Sequence, residues 1–247
     1  MITFNHDIEF IEKQRECSYF KDYETSDIKY RLIHNCTKEQ YLDMLQKGWR
    51  RFGKMHFVPI CESCTKCTSM RIVVDDFKFS KSQKRVLNKN KDTKVFIQPP
   101  SVSYEHIELY NKYHEYMSDK KGWSYNPIEI GEYIRSYVDG KNSGFAREIL
   151  YFDENKLIGV ALVDILDAGI SAIYCYYDHD YEERSIGQFS ILFQIKIAQE
   201  LNIPYIYLGY WIKDHFSMGY KEKYHPFEIL KNRPDDEEKA IWELYEK

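Results

Sequence analysis

The hydrophobic pattern begins after a charged start. Residues 6–15 are charged with isolated apolar breaks and lead into Cys17-Ser18-Tyr19-Phe20, where Cys17 taken alone reads as a small buried hydrophobe. Residues 27–32 fit a short strand. Thr37 then opens a helix, because its hydroxyl can cap the start while Gln40 takes the third helical position. Tyr41, Leu42, Leu45 and Trp49 keep helical spacing, and Gly48 ends the run. Residues 55–58 and 70–74 predict strands on either side of a loop holding Cys61, Cys64 and Cys67, so the loop reads as a knuckle between paired strands. A helix starting after Ser80 or Ser82 would place Lys81, Lys84 and Arg85 on one side. Residues 95–98 form a strand, and Pro99-Pro100 ends it as a hinge between two halves.

Beyond the hinge, residues 104–117 repeat apolar or aromatic side chains at 107, 109, 110, 113 and 117, an amphipathic helix. Residues 130–137 make a shorter one. Three β-rich runs follow at 147–152, 156–164 and 169–177, then a polar loop at 178–184, a helix at 185–201 and a strand at 204–208. A meander, a helix and a parallel-type strand predict an α+β fold with a mixed sheet and flanking helices. The acidic tail after Pro234 reads as a helix over 235–245. The expected division is residues 1–98, a cysteine-knuckle domain, and residues 99–247, an α+β domain.

Composition narrows the classes. With 247 residues, 43% hydrophobic and 30% charged, the chain is long enough for a sizeable core and reads as soluble. No apolar run approaches a membrane span and the start lacks a signal-peptide pattern, so a cytoplasmic monomer without a membrane partner is expected. Six cysteines are too few for a disulfide scaffold. A formal net charge of -4 excludes a generally basic nucleic-acid coat, and any nucleic-acid contact must come from a local patch such as the lysines after Phe77.

The cysteine loop is the stronger chemical signal. Thiols at 61, 64 and 67 can turn onto one soft ion or cluster, zinc or iron–sulfur, and a fourth ligand must come from elsewhere. Cys17 is the first candidate, with Cys36, His34 or His56 as substitutes. The second signal is Arg184-Ser185-Ile186-Gly187-Gln188-Phe189 at a helix start. Its form is similar to the pyrophosphate-binding loop of GNAT acyltransferases, in which helix-start amides hold coenzyme A. Phe189 replaces the last small residue and is expected to crowd a phosphate.

Cys17-Ser18-Tyr19-Phe20, Gly48-Trp49-Arg50-Arg51-Phe52-Gly53, Pro59-Ile60-Cys61-x-x-Cys64-x-x-Cys67, Arg71-Ile72 and Ser80-Lys81-Ser82-Gln83-Lys84-Arg85 resemble, in order, the amino-terminal domain of the aminoacyl-tRNA protein transferases of the N-degron pathway. Ser171-Ala172-Ile173-Tyr174, Glu183-Arg184-Ser185-Ile186-Gly187, the run from Tyr207 to Asp214 and Met218-x-Tyr220-Lys221 resemble their carboxy-terminal domain. The likeness runs from about Cys17 to about Phe227. Length and cysteine spacing are most similar to the bacterial aspartate/glutamate leucyltransferase branch. Phe20 stands where the longer arginyl-transferring relatives have a second cysteine, which makes Cys67 its replacement.

The resemblance implies a GNAT-like fold, in one reading a double GNAT-like arrangement, and transfer of leucine from leucyl-tRNA to proteins that begin with Asp or Glu. No cofactor is required for that chemistry; the metal set Cys17, Cys61, Cys64 and Cys67 would hold a structural or regulatory zinc ion or iron–sulfur cluster. Asp214 is the candidate to relay the proton of the attacking amine, Lys213 to steady the oxyanion and Tyr220 to protonate the leaving ribose, with Tyr210 beside them. Arg50, Arg51 and Arg71, with Gln83, are the candidates to grip the acidic terminus. Lys81, Lys84, Arg85, Arg184 and Gly187 are assigned to tRNA. The competing readings are arginyl transfer, a coenzyme A-dependent acetyltransferase and a non-enzymatic metal-knuckle RNA-binding module.

Overall fold

The computed structural model describes residues 7–20 and 25–246. Two sheets organise the chain. Strands β1 (Ile8–Glu16), β2 (Thr25–Leu32), β3 (Arg50–Phe52) and β4 (Met55–Pro59) form an antiparallel sheet in the order β1-β2-β4-β3. Helix α1 (Lys38–Gln46) connects β2 to β3, and the Thr37 hydroxyl accepts from the Gln40 amide as the sequence predicts. Tyr41, Met44 and Leu45 of α1 are buried with Trp49, Phe145, Leu166 and Tyr207, which ties the small sheet to the large one.

The large sheet takes strands from both halves. It contains β5 (Thr68–Val73), β6 (Lys94–Gln98), β7 (Ala146–Asp153), β8 (Lys156–Leu166), β9 (Gly169–Tyr177), β10 (Tyr205–Trp211), β11 (Phe227–Leu230) and β12 (Trp242–Leu244). Their order is β12-β11-β5-β10-β9-β8-β7-β6. The boundary expected after Gln98 therefore falls inside one hydrogen-bonded sheet: β5 is paired to β10 and β6 to β7.

Helices α2 (Lys81–Lys89) and α5 (Ile186–Glu200) cover one face of this sheet. On the other lie α3 (Tyr104–Lys121) and α4 (Ile130–Tyr133), the latter continuing as a π-helical turn over Ile134–Val138. The period of two along β8 sets the two layers: Ala161 and Val163 join the core under α5, and Val160 and Leu162 the core under α3. On α5, Leu192 and Ile195 are fully buried, and Leu192→Ala would cost about 2–5 kcal/mol through transfer and cavity terms.

Two sequence expectations change here. The cysteine loop does not join paired strands, because β4 belongs to the small sheet and β5 to the large one; the loop is the crossover between the sheets. The tail after Pro234 is not a helix. Asp236 pairs with Arg31 at 2.5 Å, the Glu238 carboxylate accepts from the Asp235 amide, and β12 then adds to the sheet edge beside β11. Tyr245 stacks on Phe227, and the Trp242 indole donates to Gln46 O at 3.0 Å. Tertiary pairing thus outweighs the local pattern of an acidic helix start.

Candidate active site

Strands β9 and β10 run parallel and are paired at Ile170 with Ile206 and at Ser171 with Tyr207. The other strand pairings of the large sheet are antiparallel. Past Tyr207, the register of β10 against β5 shifts and Gly209 adopts a φ of 80°, a bulge that bends β10 away from β9. The two strands then part, and backbone groups on their facing edges need other partners.

Arg50 supplies them. It reaches in from β3, donating to Tyr207 O at 3.3 Å and, through its other terminal nitrogen, to Ala172 O. A Cβ on residue 209 would sit 3.4 Å from the Arg50 Nε, so a glycine also permits this approach. Arg50 is buried, and its guanidinium bridges the gap between the strands rather than facing solvent as a fork for a substrate.

Beside Arg50 lies a second buried cation. A short 3-10 turn, Gly219–Lys223, carries Lys221 under the end of β10, where its Nζ donates to Tyr210 O at 2.5 Å. No carboxylate pairs with it among the described ion pairs. Burial first, and then the charge of Arg50, pushes Lys221 down to about 7. Burial thus favours the neutral amine far more than in water. In the sequence Lys221 is only the last residue of Met218-x-Tyr220-Lys221, a lysine next to an aromatic residue shortly after a buried strand.

Tyr210 serves as a pin. Its hydroxyl donates to Gly48 O at 3.0 Å and lies 3.4 Å from Phe57 O, and burial holds it well above the usual tyrosine range. Tyr220 is 45% exposed, yet desolvation of its hydroxyl end, with Cys175 and Tyr177 beside it, pushes it up to about 12. That hydroxyl remains a proton donor at neutral pH. Lys213 and Asp214 are exposed on the turn after β10, and Asp214 has a φ of 58°.

The other arginines assigned to an acidic terminus are engaged inside the protein. Arg51 forms a fork on Asp164, with Nε to Oδ2 at 2.8 Å and a second bond to Oδ1; the aspartate is fully buried. Arg71 donates to Glu228 at 2.7 Å and to the Tyr207 hydroxyl at 3.1 Å, and lies over the rings of Tyr205 and Trp242. Neither guanidinium is available to a carboxylate from solution. Gln83 closes the capping box of α2 with Ser80 and donates to Lys223 O at 3.3 Å, which fastens the basic helix to the turn that carries Lys221.

Lys81, Lys84 and Arg85 are exposed on α2 as predicted from the spacing. Arg184 stands apart from that patch: it pairs with Asp153 at 2.7 Å and Asp92 at 3.2 Å, so its charge is compensated. Gly187 is a packing glycine, since a Cβ there would lie 2.9 Å from the Tyr177 ring. Phe189 turns into the core against Tyr151 and Phe193 and does not crowd the helix start as expected.

A cleft of about 290 Å³ opens between the cysteine loop, the end of α1 and residues 229–236. Lys29, Lys47, Trp49, Lys231 and Arg233 line it, against Asp235 and Asp236, and Tyr210 and Cys67 form part of its wall. Arg31 lies 4.5 Å from the Trp49 ring centroid. Three of these cations already have carboxylate partners, Lys29 with Glu9, Lys47 with Asp43 and Lys231 with Glu243, and the cleft borders β10 at Tyr210.

The cysteines gather at the same place. Burial, followed by the neighbouring sulfurs of Cys17, Cys64 and Cys61, pushes the Cys67 thiol up to about 12, while Arg233 opposes this. Arg233 also donates to Cys61 O at 2.7 Å and Cys64 O at 2.8 Å, fixing the loop. Cys36 lies elsewhere, near Arg51 and Asp164, and His56 packs on Tyr41. Three thiols, those of Cys17, Cys61 and Cys64, thus lie near Cys67; they are donors of the soft kind that zinc or iron takes, though no three of these sulfurs lie within 4.8 Å of one another. Among the described residues, a ligand group closed to within 4.8 Å is formed by Asp178, His179 and Asp180, where Lys112 and Lys156 already neutralise Asp178.

Comparison with known proteins extends over the same segments. Residues 15–85 match the family model described as arginine-tRNA-protein transferase, N terminus, and residues 105–231 match its C-terminus counterpart. The chain is 48% identical over 238 residues to a Helicobacter hepaticus protein named aspartate/glutamate leucyltransferase, covering 96% of this chain and 98% of that one. A Campylobacter jejuni protein of the same name is 44% identical, with 96% and 99% covered. The crystal structure of FemX superposes with a TM-score of 0.50 at 8% identity, covering 78% of this chain and 67% of FemX, a likeness of fold alone.

Proposed function

Because the chain belongs to the arginine-tRNA-protein transferase family, we propose that it transfers leucine from leucyl-tRNA to the α-amine of proteins beginning with Asp or Glu. The observation that carries the chemistry is Lys221, buried against the Tyr210 carbonyl where β9 and β10 part. In the reaction, the neutral amine attacks the ester carbonyl and its proton passes to Lys221. The new C–N bond forms as the ester C–O bond breaks, and the electron pair leaves on the ribose oxygen. Tyr220, protonated at neutral pH, would return a proton to that oxygen. Since the ester is already activated, holding the amine against it supplies much of the rate.

Asp214 and Lys213 remain candidates for proton relay and oxyanion stabilisation on the turn after β10. Arg50 acts as a positioning charge for Lys221. The acidic terminus is assigned to the cleft around Trp49, lined by Lys29, Lys47, Lys231 and Arg233, in place of Arg51 and Arg71; a substrate carboxylate there would exchange with the acidic partners of those lysines. The tRNA is assigned to Lys81, Lys84 and Arg85 of α2, with Arg184 outside the track. Cys17, Cys61, Cys64 and Cys67 would hold zinc or an iron–sulfur cluster, which when bound locks the crossover loop against the Cys17 segment. Cytosolic location follows from the need for charged tRNA.

The test offers purified protein leucyl-, phenylalanyl- and arginyl-tRNA with peptides starting with Asp, Glu, Lys or Gln. Leucine should appear on the Asp and Glu peptides. Arginine transfer at equal or greater rate would replace the donor assignment, and transfer to none would reject the reading.

A further inference from the structure

The segment between β10 and Lys221 carries a feature that proton transfer does not use. Phe216 is 76% exposed in a turn otherwise tied down on several sides. The neighbouring His215 lies 3.2 Å from Tyr19 O through Nε2, and its Nδ1 accepts from the Ser217 amide at 3.3 Å. The rings of Tyr19 and Phe20 meet the imidazole edge-on at 5.9 and 5.5 Å, and the Phe216 ring lies 4.6 Å from it, tilted by 35°. The Lys66 ammonium sits 4.1 Å from the Phe20 ring centroid, and exposed Lys213 precedes the turn. Tyr19-Phe20 and the 213–218 turn thus form one aromatic cluster in which the Phe216 ring is exposed to solvent.

We propose that Phe216 is the stacking platform for the 3′-terminal nucleobase of the aminoacyl-tRNA, a role that rests on the tRNA-dependent reading above. The occupant follows from the chemistry. The reacting ester sits on the ribose of the terminal nucleotide, so that nucleotide's base must lie close to whatever site holds the ester. Phe216 belongs to the loop that links β10 to Lys221, and Gln83 fastens the basic helix α2 to the far end of the same loop. A base is flat and its π-face stacks on an aromatic ring without needing a specific hydrogen-bond pattern. The flanking lysines match the phosphates on either side of it. The underlying imidazole, Tyr19 and Phe20 hold the ring in place before binding, which reduces the ordering cost.

The experiment compares Phe216→Ala and Phe216→Trp with wild type on two donors, intact leucyl-tRNA and leucyl-tRNA made with an abasic terminal nucleotide, using an Asp-initiated peptide. Phe216→Ala should raise KM for intact leucyl-tRNA roughly 5- to 100-fold, the range for loss of one base–aromatic stack. KM for the peptide and the melting temperature should hold, and Phe216→Trp should restore binding. Wild type should lose about the same factor on the abasic donor, and Phe216→Ala should lose nothing further there. Factors that multiply instead of overlapping, or a Phe216→Ala effect below about twofold, would overturn the platform while leaving leucyl transfer standing. Absence of transfer by wild type on the intact donor would overturn both readings.

Discussion

Replacing Lys221 with methionine should make the protein more stable and nearly inactive at once. The wild-type protein holds this lysine in a buried site at about 7, against 10.5 for a free lysine, and burial is the first cause. At about 1.36 kcal/mol per tenfold change in proton affinity, the difference corresponds to roughly 5 kcal/mol. Its sign is destabilising: the unfolded chain holds the proton more tightly, so the full penalty is present below pH 7 and is relieved as pH rises from about 7 toward 10.5. Methionine fills a similar volume without a charge, though it leaves the Tyr210 carbonyl without the Nζ donor, a loss of about 1–3 kcal/mol. The net at neutral pH is a gain of a few kcal/mol, or roughly 5–10 °C in Tm for a chain of this size. Single-turnover leucyl transfer should meanwhile fall about 10²- to 10⁴-fold, the usual contribution of a positioned base. The wild-type rate should rise with pH around a midpoint near 7, and the variant should lose that limb. A Lys221→Met protein that melts lower than wild type, or that transfers at the wild-type rate, would refute the assignment.

Other perturbations separate scaffold from site. Asp164→Asn leaves Arg51 buried without its carboxylate, which should cost about 3–5 kcal/mol and lower Tm by roughly 10 °C; preference for Asp and Glu peptides, measured in the surviving fraction, should be unchanged. Combined substitution of Lys81, Lys84 and Arg85 by alanine should flatten the plot of log affinity for leucyl-tRNA against log salt by about 2 to 3 in slope, with peptide KM unaffected. Cys67→Ser should abolish thiolate-bound metal, read by elemental analysis of anaerobically purified protein, and should lower Tm relative to the metal-bound wild type. Trp49→Ala empties a core position and should cost about 3–5 kcal/mol; in the surviving folded fraction it should raise KM for acidic peptides while leaving that for leucyl-tRNA in place.

Much of the architecture is legible in period and punctuation. The capping residues Thr37 and Ser80, the amphipathic stripe of α3 and the three-stranded meander β7 to β9 all appear where local pattern places them, because there local preference and tertiary packing agree. The failures are non-local. Strand β1 is an edge whose mostly exposed residues give no buried alternation, and β12 is held by Tyr245 and Trp242 docking on distant rings. Around the parted strands, the segments are legible in the sequence but the partners of their side chains are not. Arg50, Arg51 and Arg71 look alike as letters, and only the fold distinguishes a guanidinium bridging two carbonyls from one locked to a buried aspartate. The environment of Lys221 is hidden for the same reason, since burial beside Arg50 has no local signature.

The central claim is that this chain selects a negative charge at the first residue of a protein and joins leucine to its amine. The most direct measurement presents purified enzyme and leucyl-tRNA with an equimolar mixture of peptides identical but for the first residue, Asp against Asn and Glu against Gln, and reads the products by mass spectrometry. Each pair differs in charge at nearly constant shape. The account predicts that the Asp and Glu peptides gain the mass of one leucine while their amide partners stay unmodified. Equal leucylation of acid and amide peptides, or modification of neither, would contradict it.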